Sequence, residues 1–125
     1  MKINFNFCIF IYNVTRTRSG IISMIYSNKI KREIKQEIID RLKPENEISK
    51  IVIFGSFLNS KNPHDIDIAI YQDSDESYLT LAMKYRRLTR EIARKIPIDI
   101  IPVKSGASDD LFLPEIESGE VIYEK

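Results

Sequence analysis

Cysteine and histidine are almost missing from this chain of 125 residues, which has one of each, Cys8 and His64. A single cysteine excludes an internal disulfide framework and is typical of proteins of a reducing cytoplasm. The chain has no C-x-x-C pair and no cysteine–histidine cluster, so a zinc site is not expected. A large excess of either charge is also missing, because 19 basic and 18 acidic residues leave a net charge of only +1. We therefore expect no direct nucleic-acid binding and no membrane association.

Long hydrophobic runs are absent as well. The best candidate, residues 3–12, is interrupted by two asparagines and is far shorter than the roughly 20 apolar residues of a membrane-spanning helix. Arg16 and Arg18 stand where a signal peptide would have its small-residue cleavage site. We therefore expect a cytoplasmic protein. Residues 1–23 are interpreted as an N-terminal extension that is poorly ordered or precedes a true start at Met24.

Two segments have the apolar spacing of amphipathic helices. In residues 28–43, isoleucine and leucine recur at steps of three and four, and Ser27 is a candidate cap. Residues 76–95 have the same period and predict one helix of roughly 30 Å. Asp73 and Glu76 form a candidate capping box for this second helix. Each helix has one apolar face to bury.

Short apolar segments, rich in β-branched residues and separated by turn-forming loops, predict strands at residues 50–54, 65–71 and 97–103. A helical turn or two at 111–117 and an edge strand at 121–123 complete the chain. The order of elements indicates an α/β (α+β) fold with a small mixed sheet flanked by helices. The length allows one hydrophobic core and no separate substrate domain, so we predict a single domain over residues 24–125.

Three aspartates interrupt these apolar strands. Asp65 and Asp67 are two residues apart, so their side chains point to one face of a strand, and Asp99 lies in a strand that can pair nearby. Burying unpaired carboxylates is very costly, and a divalent cation is the natural compensation. Carboxylate oxygens suit one or two Mg²⁺ ions, which serve phosphoryl and nucleotidyl transfer. We predict that Asp65, Asp67 and Asp99 are metal ligands and catalytic residues.

A glycine–serine turn follows the first of these strands. Gly55 lets the backbone approach a phosphate closely, and Ser56 adds a hydroxyl group. If Ser56 begins a helical turn, its amide points in the same direction. We predict that Gly55 and Ser56 bind a nucleotide. The acidic pair Asp73 and Asp75 differs from the strand acids, because it lies in a polar loop beside a predicted helix.

The combined pattern resembles that of the DNA polymerase beta-like nucleotidyltransferase superfamily. Its three parts here are Phe54-Gly55-Ser56, Asp65-Ile66-Asp67-Ile68 and Ile98-Asp99-Ile100. The short chain is similar to the minimal nucleotidyltransferases, or MNT proteins, of HEPN/MNT toxin–antitoxin pairs. The resemblance implies the polymerase beta-like fold, two Mg²⁺ ions, and ATP as the nucleoside triphosphate substrate. It further implies an antitoxin that transfers AMP onto a tyrosine of a HEPN-domain toxin.

The chain departs from the family pattern in the loop before the acidic pair. Residues 57–64 are eight in number and have no glycine, whereas the family commonly has about ten residues and a second glycine. His64 stands where a serine is common. His64, Lys61, Arg86 and Arg87 are candidates for phosphate contact, and we interpret all four as solvent-exposed side chains.

Two other functions stay open at this point. The protein could be an antitoxin that binds and occludes its partner without needing catalysis. An antibiotic-modifying nucleotidyltransferase is less expected, because such an enzyme needs more protein to enclose its substrate unless an oligomer supplies it. The second helix has two apolar stripes, one with Tyr78 and Tyr85 and one with Leu79 and Met83. Exposure of one stripe would favour a protein partner, whereas burial of both would make them part of the core.

Overall fold

The computed structural model describes residues 14–16, 22–24, 26–106 and 113–125, and its centre is a four-stranded mixed sheet. A separate hairpin of β1 (Val14–Arg16) and β2 (Ile22–Met24) precedes it. The sheet strands are β3 (Ile48–Phe54), β4 (Ile66–Gln72), β5 (Ile98–Lys104) and β6 (Glu120–Glu124). Their order is β5-β4-β3-β6, with β4 and β5 parallel and the other pairs antiparallel. The predicted small mixed sheet is confirmed.

Helices of very different length flank the sheet: α1 (Asn28–Leu42), α2 (Ser56–Asn59), α3 (Tyr78–Leu88), α4 (Arg90–Ala93) and α5 (Leu113–Glu117). The first predicted helix is confirmed together with its cap, since the Ser27 hydroxyl accepts a hydrogen bond from the Ile30 amide at 3.3 Å. A hydroxyl at this position satisfies one of the amides that a helix start leaves without a partner.

The prediction of one long helix over residues 76–95 is wrong. The helix begins at Tyr78 and is interrupted at Thr89, whose hydroxyl donates to the Tyr85 carbonyl at 2.9 Å. Such back-bonding bends a helix, and after the bend α4 buries Ile92 in the core. The predicted capping box is also wrong, because the cap is Ser77, which accepts from the Thr80 amide. A serine next to the first turn is closer to the free amides than the more distant acid.

The two faces of the sheet have separate clusters of buried side chains. Ile66, Ile68 and Ile70 of β4 are fully buried in a large cluster with the apolar stripes of α1, α3 and α4. The alternate positions face the other way, and Ala69 packs there in a smaller cluster with Ile116 of α5. Strand side chains alternate between faces, so β4 directs Asp67 away from α1 and α3.

The ends of the chain are described only in part. Residues 1–13 and 17–21, which hold most of the predicted extension, lie outside the described residues, and the domain boundary at Met24 stays a prediction. Residues 107–112 also lie outside, while the predicted helical turn is present as α5 from Leu113. Among the described helices none has the length and apolarity needed to cross a membrane.

Candidate active site

Strand pairing brings the three predicted acids together. Asp67 of β4 stands directly beside Asp99 in the parallel β4–β5 register, and Asp65 lies just before β4 begins. The register is set where the two strands start, since the Ile66 amide donates to the Pro97 carbonyl at 2.9 Å. Carboxylate oxygens of all three aspartates lie within 4.8 Å of one another. The sheet thus builds one acidic cluster from residues 34 positions apart in the chain.

The electrostatics of this cluster favour a cation. Burial raises the pKa of Asp67, and the charges of Asp65 and Asp99 and a hydrogen bond with Asp99 raise it further. A pKa raised by like charges means that the ionised cluster is unfavourable without a compensating charge. Three carboxylates are hard oxygen donors, which is the ligand chemistry that Mg²⁺ prefers. The donor set therefore fits a magnesium site.

Access to this cluster is uneven. Asp65 and Asp67 are half-buried, whereas Asp99 is exposed. A divalent ion held here would thus be embedded on the β4 side and open on the β5 side. An open side is what a catalytic metal site needs, because substrate oxygens must complete the coordination.

Gly55 lies so close to the acidic cluster that no side chain fits at this position. It has a φ of +81°, which side-chain-bearing residues rarely adopt, and a Cβ added to it would stand 2.5 Å from Oδ2 of Asp67. The sequence predicted a close approach of this glycine to a phosphate, and the close approach in the structure is to a carboxylate. Gly55 is followed by α2, which begins at Ser56. The predicted helical turn at Ser56 is therefore present.

A cavity of about 650 Å³ joins the glycine–serine turn to the acids. Its wall includes Gly55, Ser56, Asp67 and Asp99, which are four of the five predicted site residues. Asp65 is connected to them through the acidic cluster. The volume falls within the range of ligand pockets in proteins. Four of the five predicted nucleotide-binding and metal-ligating residues therefore face one common space.

Sequence reasoning missed part of this wall. Glu115 and Ser118, in α5 and just after it, line the cavity, and Ile101 of β5 adds an apolar surface. The Ser118 hydroxyl donates to the Glu115 carbonyl at 2.9 Å. The short segment around α5 has no extended periodicity in the sequence, so nothing local marked it as part of a site.

The other candidate phosphate ligands lie elsewhere. Lys61 and His64 are exposed in the loop before β4, and neither lines the cavity. Arg86 and Arg87 are exposed on α3, which packs on the opposite face of the sheet. The interpretation of these four residues as solvent-exposed is confirmed.

A family model described as Polymerase beta, Nucleotidyltransferase matches residues 36–125, which include all three aspartates and the glycine–serine turn. The chain belongs to this nucleotidyltransferase family. The family match begins within α1 and extends through β6, so it covers all four strands of the central sheet of this chain.

The fold is also similar to a solved structure. That structure is the complex of tri-AMPylated Shewanella oneidensis HEPN toxin with MNT antitoxin. The matching chain of the complex has 18% sequence identity to the present chain, and the TM-score is 0.52. The similarity covers 76% of the present chain and 73% of the other chain. At this identity the comparison confirms the polymerase beta-like fold. A comparison with curated protein sequences gives no match.

Proposed function

We propose that this nucleotidyltransferase is an MNT antitoxin that uses Mg²⁺ and ATP to transfer AMP onto a tyrosine of a HEPN-domain toxin. The observation that carries the proposal is the meeting of three carboxylates within 4.8 Å, two of which line a cavity together with Gly55 and Ser56. Nucleotidyl transfer needs this combination, because a metal-ligating cluster must stand next to a place for the phosphates.

The site residues serve metal binding, proton transfer and phosphate binding in this reaction. Asp65 and Asp67 would hold the Mg²⁺ ions together, with Asp99 as a further ligand. Asp99 would also accept the proton of the acceptor hydroxyl as the hydroxyl oxygen attacks the α-phosphorus and pyrophosphate leaves. Gly55 and Ser56 bind the pyrophosphate portion that departs. Mg²⁺, when bound, neutralises charge on the phosphate oxygens and on the leaving group. The exposed position of Asp99 supports its role, because the acceptor must enter from that side.

The toxin as acceptor is supported by the fold. The similar solved structure is a complex of MNT antitoxin with a HEPN toxin that bears three AMP groups. The present chain has no second domain within residues 26–106 and 113–125 that could enclose a small drug. A protein acceptor supplies its own surface and so suits a minimal enzyme better than an antibiotic does.

The direct test is AMP transfer from ATP to a purified HEPN toxin, followed by mass spectrometry of the toxin. Asp67→Ala is expected to lower the rate by at least about a hundredfold, or roughly 2.7 kcal/mol in the barrier. Asp73→Ala is the matched control, because it removes an exposed loop carboxylate outside the cluster. Transfer that is equally fast with Asp67→Ala would contradict the assignment.

An antitoxin that acts by occlusion is the second candidate, and one surface favours it. On α3 the side chains of Tyr78, Leu79 and Met83 are about 60% exposed, at 59%, 64% and 60%. Contiguous exposed apolar side chains mark interaction sites, and exposed Arg86 and Arg87 follow on the same helix. We propose this α3 face as the docking surface for a segment of the HEPN toxin. That segment would have apolar side chains to cover the apolar ones of α3 and acidic side chains to pair with the two arginines.

Toxin rescue separates the two candidates. If catalysis is needed, cells that express the toxin die when the antitoxin has Asp65→Ala with Asp67→Ala, although the two proteins still associate. If occlusion suffices, this double variant rescues growth, and Leu79→Glu with Met83→Glu abolishes rescue and association together. Lys29→Glu, an exposed position on α1, is the control for a change of surface charge.

A further inference from the structure

A second cavity of about 350 Å³ lies between α1 and the turn from α5 to β6. We call it the α1 groove. Its wall includes Asn28, Lys31, Arg32 and Lys35 from α1, Ser118 and Gly119 from the turn, and Glu120 at the start of β6. None of these residues was singled out in the sequence, where the basic positions of α1 look like an ordinary solvated helix face.

The α1 groove continues the catalytic cavity. Leu58 and Ser118 line both spaces, so the two are separated by no more than these shared side chains. Gly119 makes this neighbourhood compact, because a Cβ at that position would stand 2.5 Å from the Ile53 carbonyl oxygen. A ligand held at Gly55 and Ser56 would therefore have the groove next to it.

The groove has more positive than negative charge. Lys35 pairs with Glu120 at 2.6 Å, which neutralises one of the three cations. Lys31 is only 8% exposed, and its Nζ donates to the Ser60 carbonyl at 2.6 Å and lies 5.5 Å from the centre of the Phe57 ring. Arg32 is exposed at the entrance. Burial lowers the pKa of Lys31, and the charge of Lys35 lowers it further.

We propose that the α1 groove binds a phosphate group of a nucleotide whose reacting part occupies the catalytic cavity. Clefts lined by charge of one sign concentrate ligands of the other sign, and arginine and lysine are the usual phosphate-binding residues. The phosphate has one of two sources: the triphosphate tail of the incoming nucleotide, or the phosphodiester of an acceptor that already bears AMP. The inference rests on the proposed nucleotidyl transfer for its ligand class.

The test measures binding to the full chain by titration calorimetry in Mg²⁺ at about 0.1 M salt, where charge interactions reach roughly 10 Å. The probes are inorganic triphosphate and the diadenylate ApA, which has a phosphodiester and no triphosphate. Arg32→Glu is compared with Lys29→Glu, which makes the same charge change on the same helix outside the groove. Arg32→Gln serves as a milder second variant.

Arg32→Glu is expected to weaken one probe about tenfold and Arg32→Gln about threefold, with less than a twofold effect of Lys29→Glu. Weaker triphosphate binding identifies the donor tail as the ligand, and weaker diadenylate binding identifies the acceptor phosphodiester. Equal weakening by Arg32→Glu and Lys29→Glu, or unchanged binding of both probes to Arg32→Glu, would overturn the proposal. Neither probe needs turnover, so the result is independent of whether AMP transfer to a toxin is observed.

Discussion

The two faces of the four-stranded sheet are made by the same strands and differ in what their side chains do. On the helix-covered face, β4 contributes Ile66, Ile68 and Ile70, all fully buried. On the open face, the residues between them include Asp67, whose carboxylate is only half-buried and stands beside those of Asp65 and Asp99. Alternation lets one strand anchor the core with one set of side chains and hold a reactive cluster rigidly with the other.

The largest stability effect is expected on the helix-covered face. Ile68→Ala removes a fully buried side chain and should lower the free energy of unfolding by roughly 3 kcal/mol, through lost burial and the cavity left behind. Chemical denaturation measures this change. Val121→Ala on the edge strand is the control, since Val121 is 50% exposed and should cost well under that amount. Similar losses for both variants would remove the distinction between core and periphery.

The contact between the two chemical halves of the site can be broken at Gly55. Gly55→Ala forces a Cβ against the Asp67 carboxylate at a positive φ, and should cost roughly 2 kcal/mol together with most of the activity. Gly106→Ala is a matched control, because Gly106 has a φ of +86° and open space around it. The difference between the two variants in thermal denaturation isolates the clash with Asp67. Equal costs would mean that only the backbone angle matters.

A smaller effect is expected at the junction of α3 with the start of β3. Burial raises the pKa of Glu47, but hydrogen bonds from Lys84 at 2.9 Å and Tyr85 at 3.0 Å outweigh it, so the pKa is lowered. A lowered folded-state pKa stabilises the protein above the unfolded value, and this stability is lost as the pH falls through the folded value. Glu47→Gln should therefore cost about 1 kcal/mol at pH 7.

The pH dependence provides the check on this prediction. The deficit of Glu47→Gln, followed by thermal denaturation, should vanish in acid, where the Glu47 carboxylate is protonated in both states. The control Glu45→Gln removes a second partner of Lys84, at 2.7 Å, without touching the Tyr85 hydroxyl. A deficit that persists unchanged in acid would contradict the charge-based explanation.

The smallest effect is expected on the open face and has the opposite sign. Because the pKa of Asp67 is raised in the folded protein, its ionisation at pH 7 opposes folding. Asp67→Asn in chelator should raise the melting temperature by roughly 1–3 °C. The gain should disappear as the pH falls below about 4, where an unfolded aspartate is also protonated.

Adding Mg²⁺ should reverse the order of the melting temperatures of the wild type and Asp67→Asn. Mg²⁺ binds the folded wild type and stabilises it by mass action, whereas Asp67→Asn lacks a charged ligand and gains less. Asp73→Asn, an exposed loop acid, should show neither effect. A wild type whose melting temperature ignores Mg²⁺ would contradict the magnesium site.

Local patterns in the sequence were sufficient for α1, the sheet strands and the acids. Apolar spacing marks α1 and places Ser27 at its start, and alternation puts Asp65 and Asp67 on one face. The same reasoning did not predict the interruption at Thr89. The apolar spacing continues from α3 into α4, because both helices bury side chains in the same core cluster. It also missed Glu115 and Ser118, since a single helical turn has no period to detect.

The sequence by itself determined that acids would interrupt apolar strands and that a glycine–serine turn would precede them. These are properties of neighbouring residues, which alternation and turn chemistry fix locally. Only the tertiary structure decided that Asp99 pairs with Asp67, that Gly55 lies against the Asp67 carboxylate, and that the α1 groove adjoins the cavity. These facts depend on strand register and on helix packing, which join distant parts of the chain and leave no local pattern.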